Sequence, residues 1–359
     1  MELLPIRELK SLAPANPGDY RIHAQVEKAQ AKQAKSGNPY FELGFADAED
    51  KVTLRAWNDS AAYNSATELK AGAWVEVSGH WYDNGSFGLD ARDWKIRPLE
   101  QKEIDSVMGG SPELAAKQAS DYAFMEGEIA TMSDPRLKAL CDGFMEQFGE
   151  RFQRAGAARF NHHARRGGLV EHVAQMMRTA VQICAAYPQL NRDLLVAGVL
   201  FHDCGKLWEN CYSPNGFTMP FTEHGELLGH ITIGIEIVNK LWREFQDSAQ
   251  WGGWVSLEPS NEQVRLHLLH LIASHHGQYE YGAPVLPKTP EAVVLHHVDN
   301  IDAKLEMFFK GYQTSKHLAA NIQERVRPLQ HSLVRPLGHY VGADEKEPDA
   351  ATEDEFGEV

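Results

Sequence analysis

Two hydrophobic rhythms divide the chain. From about residue 19 to 98, apolar and aromatic positions alternate with polar ones in short runs, the two-residue period of half-buried strands. These runs cover residues 21–29, 40–45, 52–57, 74–81 and 87–96. Ser36-Gly37-Asn38 and Asp83-Asn84-Gly85 supply turns, the second a hairpin signal. An alanine-rich stretch at 59–69, between the third and fourth runs, reads as a short helix. Five strands with one helix in that place predict an OB-fold barrel.

Past Met108-Gly109-Gly110-Ser111-Pro112, which reads as a linker, the period becomes helical. Helices are predicted over 113–126, 134–148, 169–186, 192–202, 228–245, 262–275, 290–309 and 317–326, with no internal repeat. The expected fold class is multidomain, an N-terminal all-β OB-fold barrel followed by an all-α helical bundle. Its boundaries are 1–98 for an OB-fold nucleic-acid-binding domain and 99–125 for a linker and leading helix. The helical domain follows at 126–335 and an acidic, disordered tail at 336–359.

Composition narrows the setting. At 359 residues and 43% apolar the chain can bury a sizeable core. No uncharged apolar run reaches the roughly 18 residues of a membrane span. The start, MELLPIRELK, is too charged for a signal peptide. Cys141, Cys184, Cys204 and Cys211 lack CxxC spacing and read as reduced thiols of a cytoplasmic protein. The net charge of −15 is concentrated at the end, where residues 343–359 hold eight acids and one lysine. Charge therefore gives no support for a nucleic-acid partner, and such a partner must be argued from particular side chains.

The stretch LVAGVLFHDCGKLWE, at 195–209, carries the sharpest chemical signal. Leu195, Val196, Val199 and Leu200 form an apolar run that reads as a buried helix ending on His202 and Asp203. Burying a carboxylate beside an imidazole is costly unless a cation takes both, and these are ligand types for Zn²⁺, Mn²⁺ or Fe²⁺. Other helix ends and apolar faces carry His172, His230, His275, His276 and Asp299, so metal-competent groups could converge in a bundle core. The bland reading of any one is a hydrogen-bonded core histidine. His267, His270, His296 and His297 are read that way, and His224 as exposed. On the β segment Tyr40, Phe41, Trp57, Trp81, Tyr82 and Phe87 are candidate base-stacking rings. Filling of the barrel core is the competing reading for each. Lys51, Arg55 and Arg92 could touch phosphates or be solvated surface charge.

The order H…HD…H…HH…D resembles the HD-domain superfamily of metal-dependent phosphohydrolases, in its binuclear form. The stretches RFNHHARRGGLVEH, YPQLNRDLLVAGVLFHDCGK, ELLGHI, SHHGQYEYGAPVLPKTPEA and HHVDNIDAK are similar to those of YhaM-type 3′→5′ exoribonucleases, which also carry an N-terminal OB domain. The resemblance covers roughly residues 19–98 and 160–309, tightly in the helical motifs and loosely in the OB part. It implies two divalent ions, Mn²⁺ first with Fe²⁺, Co²⁺ or Zn²⁺ as alternatives. Asp203 would bridge them. His172, His202 and Asp299 would complete one site, and His230, His275 and His276 the other. Lys206 would neutralise the scissile phosphate, and Asp302 would orient a ligand histidine or assist proton transfer. His162 and His163 would contact the RNA phosphate or leaving ribose, and Tyr40, Trp57 and Trp81 would stack bases.

The implied activity is removal of 3′ nucleotides from single-stranded RNA, with single-stranded DNA a second substrate and no membrane partner. Relatives suggest a homo-oligomeric ring. The alternatives are a phosphodiesterase or phosphatase for small nucleotides, a di-iron oxygenase using similar ligands, and a non-catalytic RNA-binding module. Three features depart from the family pattern. Cys204 stands where an aliphatic residue is expected, as a small buried hydrophobe or a redox-sensitive thiol. The loop 209–222 and the insert 247–259, with Trp251 and Trp254, border the expected pocket.

Overall fold

The alternating segment forms a six-stranded sheet. Strand β1 (Glu2–Leu3) and helix α1 (Ile6–Leu12) lead into β2 (Gly18–Gln33), β3 (Pro39–Ala46) and β4 (Lys51–Trp57). Helix α2 (Ala62–Glu68), β5 (Trp74–Asp83) and β6 (Leu89–Pro98) follow. The order is β4-β3-β2-β5-β6, all antiparallel, with β1 parallel on β2. At 16 residues, β2 serves two partners. Its first half pairs with β5 and its second with β3, with an irregularity between Val26 and Lys28. That bend lets the sheet curl until β4 nears β6, with α2 against β3, β4 and β6. Ile22, Val26, Leu43, Phe45, Leu54 and Val77 fill the inside. The period-2 pattern holds along β4, where Val52, Leu54 and Ala56 point in.

Trp81 joins that core. It is fully buried and its indole N–H donates to the Tyr20 carbonyl at 3.0 Å, so the expectation that it stacks bases is corrected. It occupies an inward position on β5, and its large apolar ring contributes more to the core than to a wet face.

The structure, a computed structural model, describes residues 1–85, 88–159, 163–248 and 251–338. Phe87, His162 and the acidic tail from residue 339 onward lie outside the described residues. The segment 99–111, where sequence periodicity fades, contains helix α3 (Gln101–Gly109), closed by a capping box from Glu100 and Glu103. The helical region continues through α4 (Pro112–Ala130), α5 (Pro135–Phe152), α6 (Gly168–Ala186), α7 (Arg192–Phe201) and α8 (Lys206–Glu209). It is completed by α9 (Glu223–Gln246), α10 (Trp251–Trp254), α11 (Asn261–Ser274) and α12 (Pro290–Thr314). Helix α7 is central: every residue from Leu194 to Phe201 is buried, and Phe144 meets Phe201 edge-on at 5.2 Å. Among the described residues no helix is long and apolar enough to cross a membrane.

The chain divides into two compact units, Met1–Met307 and Phe308–Val359. The second holds a small sheet of β7 (His317–Ala319), β8 (Ile322–Gln323) and β9 (Leu333–Val334) in that order. The helix expected over 317–326 is therefore absent. A short apolar run does not separate helix from strand by period, and pairing of Ile322 with the distant Val334 decides the outcome.

The start of α6 is fixed by Glu171, whose side chain is fully buried. Arg165 donates to it at 2.5 Å and Gln118 at 3.0 Å. Burial alone would raise this carboxyl, but the Arg165 guanidinium outweighs burial and holds it down to about 2. The folded carboxyl thus lies below its unfolded value, and its stabilisation is present above about 4.3 and lost as pH falls toward 2. Glu171→Gln is expected to cost about 3 kcal/mol at pH 7. In urea melts its gap to the unsubstituted protein should narrow below about pH 4.5. A gap independent of pH would show that the charge of Glu171 is not what stabilises the fold.

Candidate metal centre

Apolar pressure on α7 delivers His202 to its end, and Asp203 follows in the turn before α8. Two glycines then bring a second segment against that turn. A Cβ on Gly205 would lie 1.9 Å from the His230 carbonyl oxygen, so only glycine permits this approach. Gly229, at φ 67°, breaks α9 and redirects the chain so that His230 faces the same point.

Five imidazoles are fixed in the same way. The Nδ1 of His202 lies 2.8 Å from the Val199 carbonyl oxygen, that of His275 2.8 Å from Ile272 and that of His276 2.6 Å from Tyr281. A carbonyl only accepts, so each Nδ1 carries the proton and each Nε2 presents a lone pair. Carboxylates do the same for the other two. Asp302 accepts from His172 Nδ1 at 2.7 Å, and Glu209 from His230 Nδ1 at 2.8 Å.

The Nε2 atoms converge on Asp203. On its Oδ2 side His202 stands at 3.3 Å and His172 at 3.7 Å. On its Oδ1 side His230 stands at 3.5 Å and His275 at 3.7 Å. Asp299 Oδ1 lies 3.4 Å from His172 Nε2. His276 Nε2 lies 3.3 Å from His230 Nε2, so two lone pairs face each other. Asp203 Oδ1 and His202 Nε2 are buried without a hydrogen-bond partner. Orphaned buried polar atoms cost about 1–3 kcal/mol each, and opposed lone pairs repel. Cations between these atoms would remove both penalties. The donor set is oxygen and imidazole nitrogen, suited to a divalent first-row metal. The groups His172–His202–Asp203 and His230–His275–His276 each bring three such atoms within 4.8 Å.

Electrostatics agree. Burial would raise Asp203, but Lys206 and the nearby imidazoles His202 and His230 hold its carboxyl well below the usual range. Asp299 and Asp302 are likewise held low against burial, chiefly by His172 for the first and by His163 and His172 for the second. Burial pushes His275 and His276 down, toward the neutral ligand form. His172 is the exception: against burial, Asp299 and Asp302 draw a proton onto it and lift it to about 9.

Lys206 Nζ sits 2.6 Å from Asp203 Oδ2, so its ammonium is already paired with the central carboxylate. His163 is buried, at φ 45°, with Nε2 3.1 Å from Asp302 Oδ2, so Asp302 contacts two imidazoles. His296 and His270 lie in structural bonds, to the His275 carbonyl oxygen at 2.9 Å and from the Lys288 N–H at 3.0 Å. His224 is exposed. The Cys204 thiol is fully buried and pushed far up by burial and by Asp203, which makes it a small hydrophobe. Sequence reasoning gave Glu209 no role, because nothing in its spacing links it to His230. His163–His172–Asp302 is a further such group at the same centre, and His23–Glu76–Glu103 is another, between the sheet and α3. Its carboxylates are bridged by Arg97, at 2.7 Å from each.

On the β domain Tyr40 and Trp57 are cross-strand partners on the outer face, with ring centroids 4.7 Å apart. Trp57 is exposed. Lys28 and Lys32 border this face and share Glu42 at 2.9 and 2.8 Å. Phe41 turns to Tyr63, Arg92 stacks on Tyr82, and Lys51 pairs with Glu27 at 2.5 Å.

Residues 169–304 match the family model of the HD domain. The chain is 31% identical over 326 residues to a protein named 3′-5′ exoribonuclease YhaM from Bacillus pumilus, over 89% of this chain and 95% of the relative. The protein of that name from Bacillus licheniformis is 32% identical over the same shares. That of Bacillus velezensis is 33% identical over 85% of this chain and 91% of its own length.

His172 sets a pH test. With its pKa at about 9, a proton must leave before a cation binds, so affinity should rise with pH up to that value. Calorimetric titration with Mn²⁺ at pH 6.5, 7.5 and 8.5 should show binding strengthening by up to about tenfold per pH unit. Affinity that does not change across this range would show that no proton on His172 competes with the cation.

Proposed function

The chain belongs to the family of the YhaM 3′-5′ exoribonucleases, and on that premise we propose that it shortens single-stranded RNA from the 3′ end, releasing nucleoside monophosphates. The observation that carries the reading is the convergence of four Nε2 atoms around the two oxygens of Asp203, with Asp299 beside His172 and His276 beside His230. His172, His202, Asp203 and Asp299 would hold one divalent ion, and Asp203, His230, His275 and His276 the other, with Mn²⁺ the first candidate. Bound there, the ions would lower the pKa of a water and stabilise the attacking and leaving oxygens of an in-line displacement.

The chain's own side chains do the rest. Asp302 and Glu209 keep His172 and His230 in the ligand tautomer. Lys206, held beside Asp203, would offset the negative charge that the non-bridging oxygens of the scissile phosphate gain. His163, tied to Asp302, would pass a proton to the leaving 3′ oxygen.

We read the β domain as an OB-fold barrel. Its strand order, its long bent β2 and the position of α2 support that reading. Tyr40 and Trp57 would stack successive bases on its outer face, with Lys28 and Lys32 beside the backbone. A small-nucleotide phosphatase or an oxygenase has no use for such a face. We expect a cytoplasmic enzyme, with single-stranded DNA a second substrate and self-association into a ring a further expectation.

A time course on 5′-labelled single-stranded RNA with Mn²⁺ tests the reading. The unsubstituted protein should give a ladder that shortens from the 3′ end and stops with EDTA, and Asp203→Ala should give none. An intact band with ions bound would sink the nuclease reading, and a matching DNA strand measures the sugar preference. Trp57→Ala should raise KM for RNA by about tenfold with little change in kcat, because a lost stack weakens binding and not the displacement. A fall in kcat with KM unchanged would move Trp57 off the binding path.

A further inference from the structure

Between α8 and α9 the chain leaves the helical bundle, reaches the β domain and returns, and the chemistry above uses none of this segment. At its far end Phe217 is 1% exposed, seated with Ala46 and Ala48 and edge-on to Trp74 at 5.5 Å. Its backbone N–H donates to Gln25 Oε1 at 2.7 Å, while Gln25 Nε2 donates to the Gly72 carbonyl at 3.1 Å. A Cβ on Gly216 would lie 2.4 Å from the same Gln25 oxygen, so the contact is closed on both sides.

Two guanidinium groups fasten the segment to the bundle. Arg166 donates to the carbonyls of Ser213 at 2.6 Å and Pro214 at 3.1 Å. Arg159 donates to the Met219 carbonyl at 3.0 Å and, from its other terminal nitrogen, to the Glu209 carbonyl at 2.5 Å. Glu209 Oε2 in turn takes both the backbone N–H of His230 at 3.1 Å and its Nδ1–H at 2.8 Å. Hydrogen bonds and one short stretch of backbone thus join Gln25 on β2 to an imidazole at Asp203. His230 needs this support more than its neighbours do. His202 and His275 are held by carbonyls of their own helices, whereas His230 follows the break at Gly229 and depends on Glu209.

We propose that residues 210–222 form a positioning strap, in which Gln25 and Phe217, acting through Arg159 and Glu209, hold His230 in place and so set occupancy of the second cation position. The proposal rests on the two-ion reading of the centre. It makes the β domain more than an RNA platform: its contact with Phe217 is part of what assembles the centre, with or without RNA.

The test compares full-length Gln25→Ala, Phe217→Ala and Glu209→Gln with the unsubstituted protein, each checked for folding by circular dichroism. Two readouts need no RNA. One is Mn²⁺ binding by calorimetry, and the other is hydrolysis of bis(p-nitrophenyl) phosphate, a diester too small to touch the β domain. The expected result is that Gln25→Ala and Phe217→Ala keep the first ion and bind the second roughly 10- to 100-fold more weakly, with a similar loss of kcat on the small diester. Glu209→Gln gives the reference size of that loss. If both β-domain variants bind two ions as before and keep their kcat on the small diester, the strap only joins domains and the proposal is overturned, whatever happens to KM for RNA. Should Phe217→Ala fail to fold, Gln25→Ala decides alone, since it removes one polar contact and no core volume. Loss of the second ion in a protein that does not shorten RNA would overturn the nuclease reading and leave the strap standing.

Discussion

A buried carboxylate with imidazoles on both sides is the constraint from which the rest of this structure follows. Asp203 is buried, and one of its oxygens has no hydrogen-bond partner. A charge in that setting persists only if positive charge surrounds it. Lys206 supplies part, and the lone pairs of the converging rings mark where cations could supply the remainder. The apolar length of α7, the bare backbone of Gly205 and the break at Gly229 can all be read as means of building this point from segments far apart in sequence.

The rings are aimed by an economical device. A helix ends with carbonyls that have no partner inside it. His202 and His275 each follow a helix C-terminus and donate Nδ1–H to the carbonyl three residues back, so a helix end fixes both position and tautomer. Where no such end is available, a carboxylate replaces it, Asp302 for His172 and Glu209 for His230. These substitutes differ in consequence. Asp299 and Asp302 together draw a proton onto His172, which makes that ring the point where a proton would compete with a metal ion. Glu209 is attached to the 210–222 segment, which ties its ring to the β domain.

The outer face of β2, β3 and β4 carries the other half of the proposed chemistry. Alternation alone put Trp57 outward and Leu54 inward, and cross-strand register brought Tyr40 against Trp57. The same alternation buried Trp81. A tryptophan in a strand is therefore informative only once its side of the sheet is known, and that depends on which strands close around it.

Much of this was legible in the sequence because it depends on local periodicity and residue chemistry. The switch from a two-residue to a helical period separated strands from helices, and an apolar run ending in His-Asp pointed to a buried charge that a cation could balance. The ordered histidines and aspartates showed which side chains could answer it. Tertiary structure decided what local pattern does not encode. Residues 317–319 and 322–323 became strands because they pair with each other and the second pairs with Leu333–Val334. Trp81 went to the core because β5 faces inward there. Glu209 gained a role because its carboxylate meets His230 across 21 positions of sequence. Periodicity reports which face of an element is apolar, and only packing of elements against one another decides which polar atoms are left facing each other.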